Sequence, residues 1–437
     1  MKRLLILSYD FPPSLTGVRR ILKWLKYLPD FGWEGFVLTV KDIRYTNYDA
    51  TGLAWVKRNR IQVHRSGSLD PYRLAQILSP RHKKREGTMR HSSKGAKSFM
   101  KLLRDWLFIP DDRCGWIPFA SLKGRRLIRK HRPDAILTTS YPNSAHVAGL
   151  ILKKWTGIPW AADFRDAWTQ NPIFFHPPTP LHRLLQKRLE KAVIHNADLI
   201  LTVSEPITDH FRRLAPSKKG KIVTLTNGYD EGDFTNLESH HTKKFTLVYT
   251  GTLYGPATPK PLFLALKEIL KEHPSWRGTI EILFYSALED TILKSIRKLG
   301  IEDVVHVKGL CPYEESLQHQ MDASALLLFL ASGQNAEVTV TQKVFEYLRS
   351  GRPILAMIPE GACRNLLEKF NEPYISDPGD VRGIKINLKK MYEEWERGAL
   401  SAAERKGIEV FDRRNLTGRL VSLLESTCLK GGLSTES

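Results

Sequence analysis

Cysteine is scarce and scattered. The four residues Cys114, Cys311, Cys363 and Cys428 lie far apart with no metal-ligand spacing, so neither a disulfide framework nor a structural metal is expected and a reduced, intracellular setting fits. Long apolar runs are missing as well. No stretch approaches the roughly 18 apolar residues of a membrane span. The N-terminal MKRLLILSYD stops being apolar at Asp10, and Phe-Pro-Pro follows without a small-residue cleavage site. The expectation is a soluble or peripheral protein, not an integral one. Acidic residues are outnumbered, 46 Asp and Glu against 67 Lys and Arg, which leaves a formal charge of +21. That balance favours acidic partners, whether phosphorylated ligands, nucleic acid or an anionic membrane face, and does not choose among them. No RNA- or DNA-binding module is recognisable, so nucleic acid is not the expected partner.

What is present is a rhythm. Short runs rich in Ile, Leu and Val alternate with helical patterns, the signature of parallel sheets covered on both faces. At 437 residues the chain suits two cores rather than one. The expected class is α/β with two Rossmann-like domains. The first strand series is 3–8, 36–40, 61–64, 134–138, 159–163 and 198–203; the second is 245–250, 280–284, 303–307, 325–330 and 353–357. The first helix aligns Val18, Ile21, Leu22, Leu25 and Leu28 on one stripe and leaves Arg19, Arg20, Lys23 and Lys26 outside it. Residues 227–244 are polar and poor in apolar side chains, so they read as the inter-domain connection and set the domains at 1–240 and 241–410. A last amphipathic pattern within 411–437 is a candidate to pack back on the first domain, and the tail beyond Cys428 is expected to fray.

Two basic stretches depart from this pattern. Residues 81–104 hold nine Lys or Arg against one acid, Glu86, and read either as a solvated insertion or as a contact with an anionic membrane. The helix LHRLLQKRLEKAV (181–193) has Leu181, Leu184, Leu185 and Leu189 on one side and Arg183, Lys187 and Lys191 elsewhere, the pattern of a helix that covers a sheet.

One helix carries a chemical pattern. In KVFEYLRSGRPIL (343–355), Lys343 and Glu346 share a face near the start of a helix that Thr339 or Thr341 could cap and that Ser350-Gly351 would end. An ammonium there can sit against a diphosphate. A carboxylate three residues on can accept hydrogen bonds from two ribose hydroxyls, and the positive helix end favours the same anion. The competing reading is an amphipathic helix whose Lys and Glu are merely solvated.

Several strings, taken in order, resemble GT-B glycosyltransferases of the family-4-like bacterial and archaeal type. They are LLILSYDFPPSLTGVRRILKWLKYLPDFGWE (4–34), PWAADFRDAW (159–168), DLILTVSEPI (198–207), TNGYD (226–230), LVYTGTLYG (247–255) and KVFEYLRSGRPIL (343–355). The resemblance covers nearly the whole chain apart from the basic segment. It implies two Rossmann-like domains facing across a cleft, with the donor on the C-terminal domain and the acceptor on the N-terminal one. The activity it implies is transfer of a sugar from a nucleotide-sugar donor to a glycan or lipid-linked acceptor, retaining and metal-independent. The nucleotide-sugar is then a co-substrate and no cofactor is implied; no convincing DxD site stands in the sequence. The expected place is cytoplasmic, peripheral on the inner face of the cell membrane. An epimerase acting on the same donor and a non-catalytic basic binding protein are the rival readings.

Residue by residue, the resemblance implies that Gly17 lets the first loop's backbone approach the transferring sugar or its phosphate, with Arg19 and Arg20 adding charge; the bland alternative is a turn glycine. Gly251 would end a strand beneath the diphosphate. Many relatives carry Arg next, but here it is Thr252, so neutralisation leans on Lys343, with Lys260 or an N-terminal arginine assisting. The loop KGLCPY (308–313) would receive the base. Glu346 takes the ribose, and Glu337 the donor sugar's hydroxyls, although eight residues separate the two where the family often has seven. The loop 332–335 must then absorb the extra residue. Asp163 is the first candidate to activate or orient the acceptor hydroxyl and Asp166 the second, against the alternative that either forms a structural pair with Arg165.

Overall fold

The computed structural model describes residues 1–14, 17–41, 50–70, 106, 108–171, 175–240, 242–253, 256–333 and 337–429. The basic segment 81–104, residues 334 and 335 of the loop before Glu337, and residues 430–437 of the tail lie outside the described residues. The chain forms two compact units, Met1–Thr226 with Arg414–Ser437, and Asn227–Arg413.

The first unit is a parallel sheet of β1 (Lys2–Leu7), β2 (Trp33–Val40), β3 (Val63–Ser66), β4 (Ala135–Ser140), β5 (Trp160–Phe164), β6 (Leu199–Thr202) and β7 (Ile222–Thr224), in the order β3-β2-β1-β4-β5-β6-β7. Among the described residues its helices are α1 (Arg19–Tyr27), α2 (Ala50–Arg58), α3 (Ile117–His131), α4 (Ser144–Thr156), α5 (Pro180–Asn196) and α6 (Glu205–Leu214). Leu4, Leu5, Ile6 and Leu7 are all buried, as a strand covered on both faces must be. The strand order reverses between β1 and β4. Loops after these strands therefore part there and leave a ligand position at the carboxyl edge.

The second unit repeats the plan with β8 (Phe245–Thr250), β9 (Ile280–Tyr285), β10 (Val305–Val307), β11 (Ala325–Phe329), β12 (Ile354–Met357) and β13 (Ile375–Ser376), ordered β10-β9-β8-β11-β12-β13. Its helices are α7 (Lys260–Glu272), α8 (Asp290–Leu299), α9 (Tyr313–Asp322), α10 (Gln342–Ser350), α11 (Ala362–Lys369) and α12 (Val381–Glu396). Here the reversal falls between β8 and β11.

A final helix, α13 (Arg413–Leu423), belongs to the first unit from Arg414 onward. Its Leu416, Leu420 and Val421, with Leu424, share a core with Leu4, Ile6, Phe11 and Trp24. The Cα of Gly418 lies so near the Phe31 ring that a Cβ would meet it at 2.8 Å. Polar contacts fix the ends: Arg414 to Asp30 at 2.8 Å and Lys2 to Glu425 at 2.6 Å.

Three details differ from the sequence reading. The division falls at 226/227 rather than near 240, because Tyr229 and Phe234 are buried in the second unit's core beside Val344 and Phe345. Arg20, placed outside the apolar stripe by periodicity, is buried. Of the leucines assigned to the sheet-covering face of α5, Leu181, Leu184 and Leu185 are exposed and Leu189 is half-buried, since that helix buries Glu190, Val193 and Ile194.

Candidate active site

In the second unit, α10 begins where the loop from β11 returns to the sheet. Thr341 takes the extended backbone of a cap residue (ψ 150°), and Gly351 ends the helix in the left-handed conformation (φ 75°). No acid stands in its first turn; Lys343 does. A cation at the positive end of a helix is unfavourable unless an anion joins it. The half-buried Lys343 ammonium lies 2.7 Å from Tyr249 Oη and 3.4 Å from the Thr252 carbonyl oxygen, and 4.2 Å from the centre of the Tyr249 ring. Burial pushes its pKa down to about 8, against the pull of Glu346. Gly251 (φ +93°) closes this cradle: a Cβ there would meet Lys343 Cε at 2.9 Å. The glycine is required both by its backbone angle and by the lysine crossing it.

Glu346, one turn further along, is 5% exposed. Its Oε1 lies 3.2 Å from Tyr313 Oη and accepts from Gln342 Nε2 at 3.2 Å; Tyr313 Oη is also 3.3 Å from Asp233. These contacts hold the carboxylate while Oε2 takes no hydrogen bond from a described residue. Such a group is preorganised to accept from hydroxyls.

At the carboxyl edge of the first unit's sheet, Asp163 on β5 is fully buried. It receives Arg20 Nη2 at 2.9 Å, Arg20 Nε at 3.3 Å and Thr139 Oγ1 at 2.8 Å. Arg20 also donates to the carbonyls of Leu225 (2.7 Å) and Thr226 (2.5 Å) and lies 4.6 Å from the Trp24 ring. This is a satisfied ion pair joining α1, β5 and the chain after β7. A carboxylate so engaged is not placed to take a proton from an incoming hydroxyl.

The neighbouring Arg165 runs back over the edge instead, donating to the carbonyls of Gly17, Ser140 and Tyr141. The left-handed Gly17 (φ +64°) has no room for a Cβ because the Arg165 guanidinium occupies that place. Asp10 and Asp166, like Asp163, sit in the field of Arg165. Burial raises the pKa of Asp10, against Arg113 and Arg165, and raises that of Asp166, against Arg165. Burial in turn lowers that of Arg165, against Asp163, Asp166 and Asp10.

Solved structures share this architecture. A glycosyltransferase from Rickettsia africae ESF-5 aligns with TM-score 0.65 at 12% identity, covering 100% of this chain and 99% of that one. Anabaena Alr3699/HepE in complex with UDP aligns with TM-score 0.64 at 14% identity, covering 98% and 100%. A putative UDP-N-acetylglucosamine 2-epimerase from Listeria monocytogenes aligns with TM-score 0.56 at 11% identity, covering 97% and 96%. At these identities the likeness is one of fold. A search of the curated proteins gives no match. Residues 16–228 match the glycosyl transferase 4-like domain family. That part of the chain carries a glycosyl transferase 4-like domain, and the chain as a whole has the two-domain GT-B fold.

In the second unit the structure brings Gly251, Thr252 and Lys343 together, with Glu346 one turn away on the same helix. Lys260 starts α7 with its side chain exposed. Glu337 is also exposed; its carbonyl accepts from Ala362 N at 3.0 Å, and no described contact joins it to Lys343 or Glu346. In the first unit Gly17, Asp166 and Arg165 share one edge, Arg19 is half-buried at the start of α1, and Asp163 is drawn inward by Arg20. Sequence reasoning missed Asp10, Tyr249 and Tyr313. Asp10 follows β1 at the strand-order reversal, so the strand-end rule could have found it; nothing marks either tyrosine until the fold sets it beside Lys343 or Glu346.

Proposed function

We propose that this chain is a glycosyltransferase that moves a sugar from a nucleotide-sugar donor, held by the second unit, to a glycan or lipid-linked acceptor, with retention at the anomeric carbon and no need of a metal. One observation carries the reading. Lys343 and Glu346 stand on the first two turns of α10, next to the Gly251 loop, at the sheet's strand-order reversal. As the nucleoside diphosphate departs, negative charge grows on its phosphates. The Lys343 ammonium and the positive N-terminal end of α10 supply the opposing charge, which supports independence of a metal. Glu346 holds the ribose hydroxyls. On the acceptor side, Asp10 and Asp166 are the carboxyls best placed for orienting a hydroxyl, with Asp163 serving to hold the edge in shape. Retention rests on the family resemblance. Cytoplasmic placement at a membrane face accords with the +21 charge; among the described residues no helix is long and apolar enough to cross a membrane.

The test is acceptor-dependent release of nucleoside diphosphate from UDP-, GDP- and ADP-sugars in the presence of glycan and lipid-linked acceptors. Glu346→Ala should lower transfer at least about 100-fold, the scale of removing a charged hydrogen-bonding partner from two ligand hydroxyls. Unchanged transfer rejects the assignment, and donor turnover to an epimer without any acceptor would favour the epimerase reading.

A further inference from the structure

The amphipathic pattern of α5 is inverted. Leu181, Leu184, Leu185 and Arg188 repeat at i, i+3, i+4 and i+7, the spacing of a core stripe, yet the three leucines are 61%, 45% and 36% exposed. The buried face is the opposite one. There Glu190 accepts from Thr169 N at 3.0 Å and Thr169 Oγ1 at 2.6 Å, with Val193 and Ile194 packed beneath. Cations continue the outward face: Arg188 and Lys191 are exposed and take no ion pair with a described residue, and Arg183 and Lys187 flank them.

The helix is held rigidly in this attitude. Thr179 caps it by accepting from His182 N at 3.3 Å, Trp168 Nε1 donates to Gln186 Oε1 at 2.7 Å, and Gln186 Nε2 donates to the Pro110 carbonyl at 2.6 Å. Trp106, 49% exposed, lies against the first turn, its ring 5.4 Å from His182. Leu181, Leu184, Leu185 and Trp106, exposed together on and against the first turns of one helix and set among cations, mark an interaction surface.

We propose that the outward face of α5, with Trp106, is a docking surface for an anionic lipid bilayer. Leucines and an indole beside arginine and lysine are what an interfacial helix lying in a headgroup layer presents. The charge selects a negative surface, and the apolar side chains select one with an accessible hydrocarbon boundary. The leucines stand on the first turns of α5, directly after the loop leaving β5, so they lie toward the same sheet edge as Asp166 and Gly17. Docking there brings that edge to the bilayer surface, where a lipid-linked acceptor would be offered. The link to an acceptor rests on the transfer reading above; the docking itself does not.

The experiment is co-sedimentation of the full chain with phosphatidylglycerol-containing and pure phosphatidylcholine vesicles, across a salt series and without substrates. The wild type should bind the anionic vesicles at least about 10-fold more tightly than the neutral ones. A Leu181→Gln, Leu184→Gln, Leu185→Gln variant should lose about 10-fold or more at every salt concentration. An Arg188→Gln, Lys191→Gln variant should bind more weakly, with a flatter salt dependence. Being surface changes, both should keep the wild-type melting temperature and donor turnover. Equal binding to both vesicles, variants that bind as the wild type does, or a wild-type dimer that the leucine variant converts to monomer would each overturn the proposal. The last outcome would give the face to a second copy of the chain. Loss of donor turnover with vesicle binding intact would count against the transfer reading alone.

Discussion

Lys343 is a cation set where a helix end is already positive, and burial holds its pKa down against the pull of Glu346. Because the folded value is about 8 against an ordinary 10.5, the unfolded chain holds more protons between those limits. The residue's contribution to stability therefore rises with pH across that window. Donor affinity should do the reverse. A diphosphate that binds the ammonium raises its pKa, so affinity should be flat from pH 7 to about 8 and fall by up to about tenfold per pH unit above it. Lys343→Met should remove that limb, and calorimetric titrations across pH check it; a flat wild-type profile contradicts the assignment. Asp163 shows why residue roles were only partly legible. Its position after a strand is plain in the sequence, but its partner lies 143 residues away, and helical periodicity sets Arg20 on the solvent side of α1. The Trp24 ring and the carbonyls of Leu225 and Thr226, which draw Arg20 inward, come together only in the folded sheet.

At the scale of elements, amphipathic patterns located helices without saying what each one covers. The pattern at 411–426 was readable as a helix, while its destination beside Leu4 and Ile6 depends on the chain's return to the first unit. α5 was readable too, but its leucines and its buried face exchange roles because Glu190 finds two donors in Thr169. Polar composition in 227–244 hid Tyr229 and Phe234, whose rings meet at 6.3 Å inside the second unit. The account of α13 has a direct consequence. Ending the chain after Asp412 removes Leu416, Leu420, Val421 and Leu424, each of which contributes roughly 1.5–3 kcal/mol on full burial. The first unit should then unfold at distinctly lower urea concentration or fail to accumulate as soluble protein. A truncated chain with the wild-type urea midpoint for that unit would contradict this packing.

Across the whole molecule, the alternation of apolar runs with helical patterns foretold two parallel sheets, and eleven of the strands lie close to their expected places. The two that were not expected, β7 and β13, span three and two residues at sheet edges, too short for periodicity to register. The reversals at β1/β4 and β8/β11 are properties of strand order, which no local pattern encodes, yet they position both candidate edges. A positive total charge was compatible with several partners; the fold narrows it by setting one cation against a glycine loop and others on an outward helix.

The central claim is that the second unit grips a nucleoside diphosphate through Lys343 and Glu346. Its most direct test is calorimetric titration of UDP, GDP and ADP into the full chain and into the Lys343→Met and Glu346→Ala variants at neutral pH. At least one nucleotide should bind the wild type, and each variant should weaken that binding by about 10- to 100-fold, the scale of one charged hydrogen-bonding group. Wild-type affinity in both variants, or no binding of any of the three nucleotides, would contradict it.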